Sequence, residues 1–250
     1  MEGVICLLRY IYDGSFDGFL SVIHACYYIE EPDCIERRNS YTYDLLYEDK
    51  VIETDITKSN KVHTAILEKI SEDTLIHVYR GFLSEKATIE IKILKYIQLG
   101  FRLGSRVNDL LSNEIVSEVQ KYSARVAREV HSFLGLIRFQ EFRGVLYAAI
   151  EPTYNIIELL GNHFKERLTN EKWIIHDVKR KTGIVYEFNE WIFRDLKFEK
   201  LESQDVEELF YQNLWRVFHK TIAIKERCNE RLQMQHMPKK YWNNLIEMKQ

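Results

Sequence analysis

The sequence predicts an α+β protein, with a helix-rich N-terminal half and a C-terminal half in which a small antiparallel sheet packs against helices. Three observations carry this. Ten Gly and three Pro in 250 residues leave little room for wide loops. Apolar residues recur at helical spacing over long runs, most legibly Val119, Tyr122, Val126, Val130 and Phe133. Runs rich in β-formers, separated by turn residues, concentrate between Leu136 and Phe193. The expected partition is 1–111, mainly helical with one or two short strands, and 112–250, an α+β region; one continuous domain fits the same pattern.

Val4 to Tyr12 reads as an opening strand, and Asp13–Gly14 as a turn. Ser15 is placed to cap a helix carrying Phe16, Phe19, Leu20, Ile23 and Tyr27, which should fail by Glu31 ahead of Pro32. The loop from Asp13 to Gly18 resembles a phosphate loop but has no Walker lysine, so it is read as a structural turn. Cys34 to Glu48 shows no clean period, and Val51 to Ile56 suggests a short strand. Helices follow from Ser59, with Val62, Ala65 and Ile66, and from Ser84, with Ala87, Ile91 and Leu94. Asp73 to Leu83 is ambiguous.

Ser112 or Asn113 opens the helix of the clear stripe, and Gly135 should end it. Its other face carries Lys121, Arg125, Arg128 and Ser132, a basic ridge or a solvated face with Arg125–Glu129 paired. Leu136 to Gln140 and Val145 to Ile150 read as a hairpin around Phe142-Arg143-Gly144. Ile156 to Leu168 is helical. Lys172 to Val178 and Gly183 to Phe188 form a second hairpin. After a charged linker from Leu196 to Ser203, Asp205 to Arg227 is the last long helix. Val206, Phe210, Leu214, Val217, Phe218 and Thr221 are its expected buried stripe. Pro238 suits the first turn of a short terminal helix.

The net charge of −3 gives no global nucleic-acid signature, so an anion-binding surface has to be local. From Arg216 to Gln250, eight Lys/Arg stand against three Asp/Glu, a local net of +5. Cys6, Cys26, Cys34 and Cys228 have no CxxC spacing, which argues against a zinc site or disulfide framework. No signal peptide or membrane span is read, and the expected location is the cytoplasm.

Within the basic C-terminal run, arginines and lysines alternate with Asn229, Gln233 and His236, which donate and accept hydrogen bonds, and with Trp242, which can stack on a base. The expected nucleic-acid-binding residues are Arg125, Arg128, Arg138, Arg216, Lys220, Arg227, Asn229, Arg231, Gln233, His236, Lys239 and Trp242. An acid–base set would draw on His131, Glu141 and His176. His176 and Asp177 sit in a β-run and should face opposite ways, so they cannot form a relay with each other. No metal ligands and no cofactor are expected, save a divalent metal if those groups are catalytic.

The strings ARVAREVHSFLGLIRFQE, GVLYAAIEPTYNIIELLGNHFKERL, EKWIIHDVKRKTGIVY and IAIKERCNERLQMQHMPKKYW, with YDGSFDGFLSVIHACY near the start, resemble a bacterial family of unknown biochemical function associated with DNA metabolism and repair. The resemblance spans most of the chain and is weakest from about Ile35 to Ser112. It implies a neighbouring radical-SAM protein as partner, and relatives fused to a uracil-DNA-glycosylase-like domain. It carries no catalytic set, and this chain has no CxxxCxxC triad for an iron–sulfur cluster. The reading that follows is an accessory DNA-binding protein of repair or modification, acting with the radical-SAM enzyme. The alternatives are a metal-dependent nuclease or base-processing hydrolase, and an interaction scaffold that never touches DNA. The scaffold reading predicts a large exposed apolar patch.

Overall fold

A computed structural model describes residues 7–201, 205–224 and 229–248. Cys6, Lys225, Arg227, Cys228, Lys249 and the start of the expected first strand lie outside the described residues. The chain divides into two compact units, 1–127 and 128–250.

The N-terminal unit is built on a three-stranded parallel sheet, richer in strand than one or two isolated segments. β1 (Leu7–Tyr12) lies between β2 (Cys34–Arg37) and β3 (Tyr47–Val51). The polar Cys34–Glu48 stretch hid β2 and the start of β3, which lies earlier than the strand expected at Val51–Ile56, because their central partner residue is a buried charge. Arg9 is almost fully buried and is held by Glu36 at 2.9 Å and Asp49 at 2.7 Å. Such a side chain breaks the apolar alternation that marks a strand.

Ser15 caps α1 (Phe16–Tyr28), its hydroxyl accepting from the Gly18 N–H at 2.9 Å. The Asp13 carboxylate takes bonds from the Ser15 N–H and hydroxyl and from the Thr54 hydroxyl. A Cβ on Gly18 would fall 2.2 Å from that carboxylate. The loop's polar groups are thus spent on one another, as a structural turn requires.

α2 (Ile56–Lys69) starts earlier than Ser59, because Asp55 provides the cap. The ambiguous stretch is α3 (Glu72–Leu83), capped by Ser71. α4 (Ile89–Leu103) begins later than expected. Phe19, Ile23, Ile66, Ile93, Ile97, Val116 and Val119 form this unit's core.

α5 (Glu114–Leu136) buries Val119, Val126 and Phe133, three of the five stripe residues, and half-buries Tyr122 and Val130. It runs through Gly135 and takes in Leu136, so the strand expected from Leu136 is shorter. β4 is only Gln140–Phe142.

In the C-terminal unit, β4, β5 (Val145–Ile150), β6 (Trp173–Asp177), β7 (Thr182–Glu187) and β8 (Glu190–Asp195) lie side by side in chain order. The sheet is mixed, which corrects the antiparallel expectation. β5 and β6 are parallel because α6 (Ile157–Arg167) connects them as a crossover. The hairpin turns fall where the turn residues predicted. Arg143 and Gly144 both have positive φ, as a two-residue hairpin between right-twisted strands demands. One sheet face meets α6: Phe164 packs edge-on to Trp173, and Gly161 lies so close under Trp191 that a Cβ would sit 2.5 Å from the indole.

α7 (Val206–Ile222) contradicts its expected burial: none of its residues is buried. Val206, Phe210, Leu214, Val217 and Phe218 are all more than half exposed, and Thr221 is exposed too. The reason is that the helix is held by its polar side. Glu208 accepts the Glu141 N–H at 3.0 Å, Arg216 donates to the Ile246 carbonyl at 3.3 Å, and the Trp215 indole N–H donates to Glu247 at 3.1 Å. After α8 (Glu230–His236) the chain closes in short 3-10 turns in which Tyr241 and Leu245 are buried. Among the described residues no helix is long and apolar enough to cross a membrane.

Candidate functional site

A cleft of about 510 Å³ lies in the C-terminal unit and brings together charged, aromatic and amide side chains. Four chain segments build it. The end of α5 and the stretch into β4 supply Ile137, Arg138 and Phe139; the last turn of α6 supplies Arg167. α7 supplies Glu208, Tyr211, Gln212 and Trp215, and the terminal 3-10 turn supplies Ile246. Residues 208, 211, 212 and 215 recur at spacings of three, one and three, so the helix period puts them on one side of α7. A smaller polar recess shares Arg138, Gln212 and Ile246 and adds Gln140, Lys200 and Asn244.

Arg138 is the hinge of the electrostatics. Its guanidinium pairs with Glu247 at 2.7 Å, donates to the Gly135 carbonyl at 2.9 Å, and lies 5.8 Å from the centre of the Trp215 ring. It therefore closes the C-terminal end of α5, where carbonyls need donors. Burial by itself would lift the Glu247 carboxyl. The bonds from Arg138 and from Trp215 outweigh it and hold the acid below the usual range. Arg138 is thus largely neutralised, whereas Arg167 is exposed at the cleft margin. Aromatic rings, a positive charge and the Gln212 amide in one cleft can take a flat, anionic ligand.

The other expected DNA contacts are dispersed. Arg125 lies over the Tyr122 ring at 5.3 Å, and Arg128 is exposed on the same helix. Arg216 is tied to the Ile246 carbonyl, while Lys220 is exposed. Arg227 lies outside the described residues. Asn229 is spent as the cap of α8, accepting the Leu232 N–H at 3.0 Å; Arg231, Gln233 and His236 are exposed along that helix. Lys239 sits over Trp242 at 5.7 Å, and the Trp242 indole donates to the Met237 carbonyl at 2.9 Å. Of the eleven described residues in that set, Arg138 alone lines this cleft.

The acid–base candidates do not line it either. His131 and Glu141 are exposed, on α5 and β4. His176 is fully buried, its Nδ1 2.8 Å from the Tyr147 hydroxyl, and burial holds the imidazole below its ordinary pKa. Its neighbour Asp177 is buried as well and pairs with Arg180 at 2.9 Å. Among the described residues no three His, Cys, Asp or Glu side chains gather as a metal would need.

Glu129 has a role its spacing did not suggest. Rather than the pairing expected with Arg125, it is buried and accepts from Lys240 at 2.6 Å, from the Tyr241 hydroxyl at 3.1 Å, and from the Thr153 and Tyr154 N–H groups. That network fixes the closing turns of the chain. Sequence reasoning missed Arg167 and Tyr211. The available signal was the aromatic pair Tyr211–Trp215 at i,i+4, overlooked because the apolar stripe beside it was longer.

No curated protein matches the chain. Residues 87–247, from the turn before α4 to the last 3-10 turn, match the family model described as a domain of unknown function, DUF4130, and the chain belongs to that family.

Proposed function

We propose that the protein is an accessory DNA-binding protein of repair or modification that works beside a catalytic partner. The observation that carries the reading is the cleft of the C-terminal unit, where Arg167 and Arg138 share one concavity with Phe139, Tyr211 and Trp215. Arginine with aromatic rings suits nucleic acid, because the cation answers phosphate and the rings answer bases. The exposed basic residues Lys220, Arg231 and Lys239 add a diffuse attraction of the same sign.

The outward apolar side of α7 supports the second half of the reading. Monomeric proteins seldom display a contiguous apolar helix face, and one held in place by its polar side is suited to receive another protein. The partner we propose is a radical-SAM enzyme, the neighbour that the sequence resemblance implies. DNA binding with partner docking accounts for both the cleft and the helix; a scaffold with no DNA contact accounts only for the helix.

Fluorescence anisotropy with single-stranded, duplex and uracil-containing DNA at two salt concentrations tests this. Binding that weakens with salt, with no change to the DNA, is the expected result, and Arg167→Ala should weaken it. Absence of binding to every DNA would overturn the reading in favour of the scaffold. Strand cleavage or base release with magnesium or manganese would favour the hydrolase, with His131, Glu141 and His176 as its first variants.

A further inference from the structure

We propose that the cleft receives one unpaired base of single-stranded DNA, stacked on the Tyr211 ring, with its phosphate on Arg167. This rests on the DNA-binding reading and adds the form of DNA and the contact that selects it.

The argument starts from the aromatic groups. Tyr211 is 56% exposed, its ring meets Phe210 edge-on at 5.7 Å, and among the described residues its hydroxyl has no hydrogen-bond partner. An apolar ring in that position gains by being covered. Its neighbour Trp215 is fixed, by its bond to Glu247 and by the Arg138 guanidinium beside its ring. A pre-set ledge of this kind loses little side-chain entropy when a flat ligand lands on it. A volume of about 510 Å³ is of the size that holds one nucleotide-sized ligand.

Base pairing decides the rest. In a duplex each base is covered above and below by its neighbours, so only an unpaired base can offer its face to a ring. Charge points the same way. Arg138 is matched by Glu247, and the acidic Glu208 lines the cleft as well, leaving Arg167 as the main phosphate contact there. One neutralised phosphate on a single strand gives a slope of only about −0.7 in log affinity against log salt. Stacking, rather than charge, then carries most of the affinity at this site. An extended basic surface touching six or more phosphates would give a slope of roughly −4 or steeper.

The test compares a labelled oligothymidine strand with an abasic strand of the same length, which keeps the phosphates and removes the bases. Both are titrated against the full chain and against Tyr211→Leu, Tyr211→Phe and Arg167→Gln. Expected are tighter binding to the oligothymidine than to the abasic strand or a duplex, a loss of about 5- to 150-fold in Tyr211→Leu, and near wild-type affinity in Tyr211→Phe, which keeps the ring. Arg167→Gln should flatten the already shallow salt slope. Tyr211 is exposed, so the leucine variant should fold, and its circular dichroism is checked against the phenylalanine variant. Equal binding of normal and abasic strands, or an unaffected Tyr211→Leu, overturns the stacking proposal while leaving DNA binding intact. Failure of the wild-type chain to bind any DNA overturns both.

Discussion

α5 and α7 are alike as sequence and opposite as structure. Each carries an apolar residue every three or four positions and charges on the remaining side, and each folds as a single long helix. α5 buries Val116, Val119, Val126 and Phe133 almost completely, while α7 buries nothing along seventeen residues. The hydrophobic period specifies a helix and an apolar side; it does not specify what covers that side. For α7, Glu208, Trp215 and Arg216 provide directional bonds that fix the helix by its other side. The apolar surface left outside is either a cost to solubility or an unfilled binding surface.

The sharpest test of that contrast is the same substitution on both helices. Val119→Asp puts a charge among fully buried neighbours and should cost on the order of 4 kcal/mol or more, as read by urea denaturation. Phe210→Asp, on the 62%-exposed outward side of α7, should stay within about 0.5 kcal/mol of wild type and raise solubility. A large loss in the second variant would mean that the outward side of α7 is covered in solution.

Next in size is Glu129, on the polar side of α5. Removing it as Glu129→Ala strands two backbone N–H groups and the Lys240 ammonium, and should cost roughly 3 kcal/mol, moderated because Lys240 is itself half exposed. Its titration follows. Burial would raise the Glu129 pKa, but Lys240 and the Tyr154 and Thr153 N–H groups outweigh burial and leave it below the ordinary value. A carboxyl whose folded pKa is depressed stabilises the fold above its unfolded pKa, about 4.3, and loses that contribution as pH falls through the folded value. The acid limb of stability below about pH 4.3 should therefore be shallower in Glu129→Gln than in wild type, with thermal melts across pH as the measurement.

How much could be read beforehand tracks whether the deciding interactions are local. Caps at Ser15, the Arg143–Gly144 turn and the stripe of α5 rest on neighbours within a few residues, and all three were legible. β2 and the start of β3 were hidden because Arg9 reaches across to Glu36 and Asp49, 27 and 40 residues away. The parallel pairing of β5 and β6 depended on α6 filling the crossover, and so on strand order rather than strand pattern. The cleft was the least legible of all. Arg138 meets Glu247 across 109 residues, and the Tyr211–Trp215 ledge matters only once α7 has turned its apolar side outward. No period in a single segment encodes such a choice.

The smallest expected effect isolates helix propensity from packing. Gly135 lies in the last turn of α5, and a Cβ there would meet nothing within 4 Å. Gly135→Ala removes backbone freedom from the unfolded chain without a clash, and should stabilise by about 0.5 kcal/mol, or roughly 1–2 °C in Tm for a chain of this size. Gly161 on α6 is the counter-case, since a Cβ would press 2.5 Å from the Trp191 ring, and Gly161→Ala should cost about 1–3 kcal/mol instead. The two alanines have equal intrinsic preference for a helix and differ only in what faces them. A matching sign in both would mean that Trp191 yields easily. Opposite signs would extend the lesson of α5 and α7 to a single methyl group: the local sequence chooses the helix, and the surface opposite decides what each position is worth.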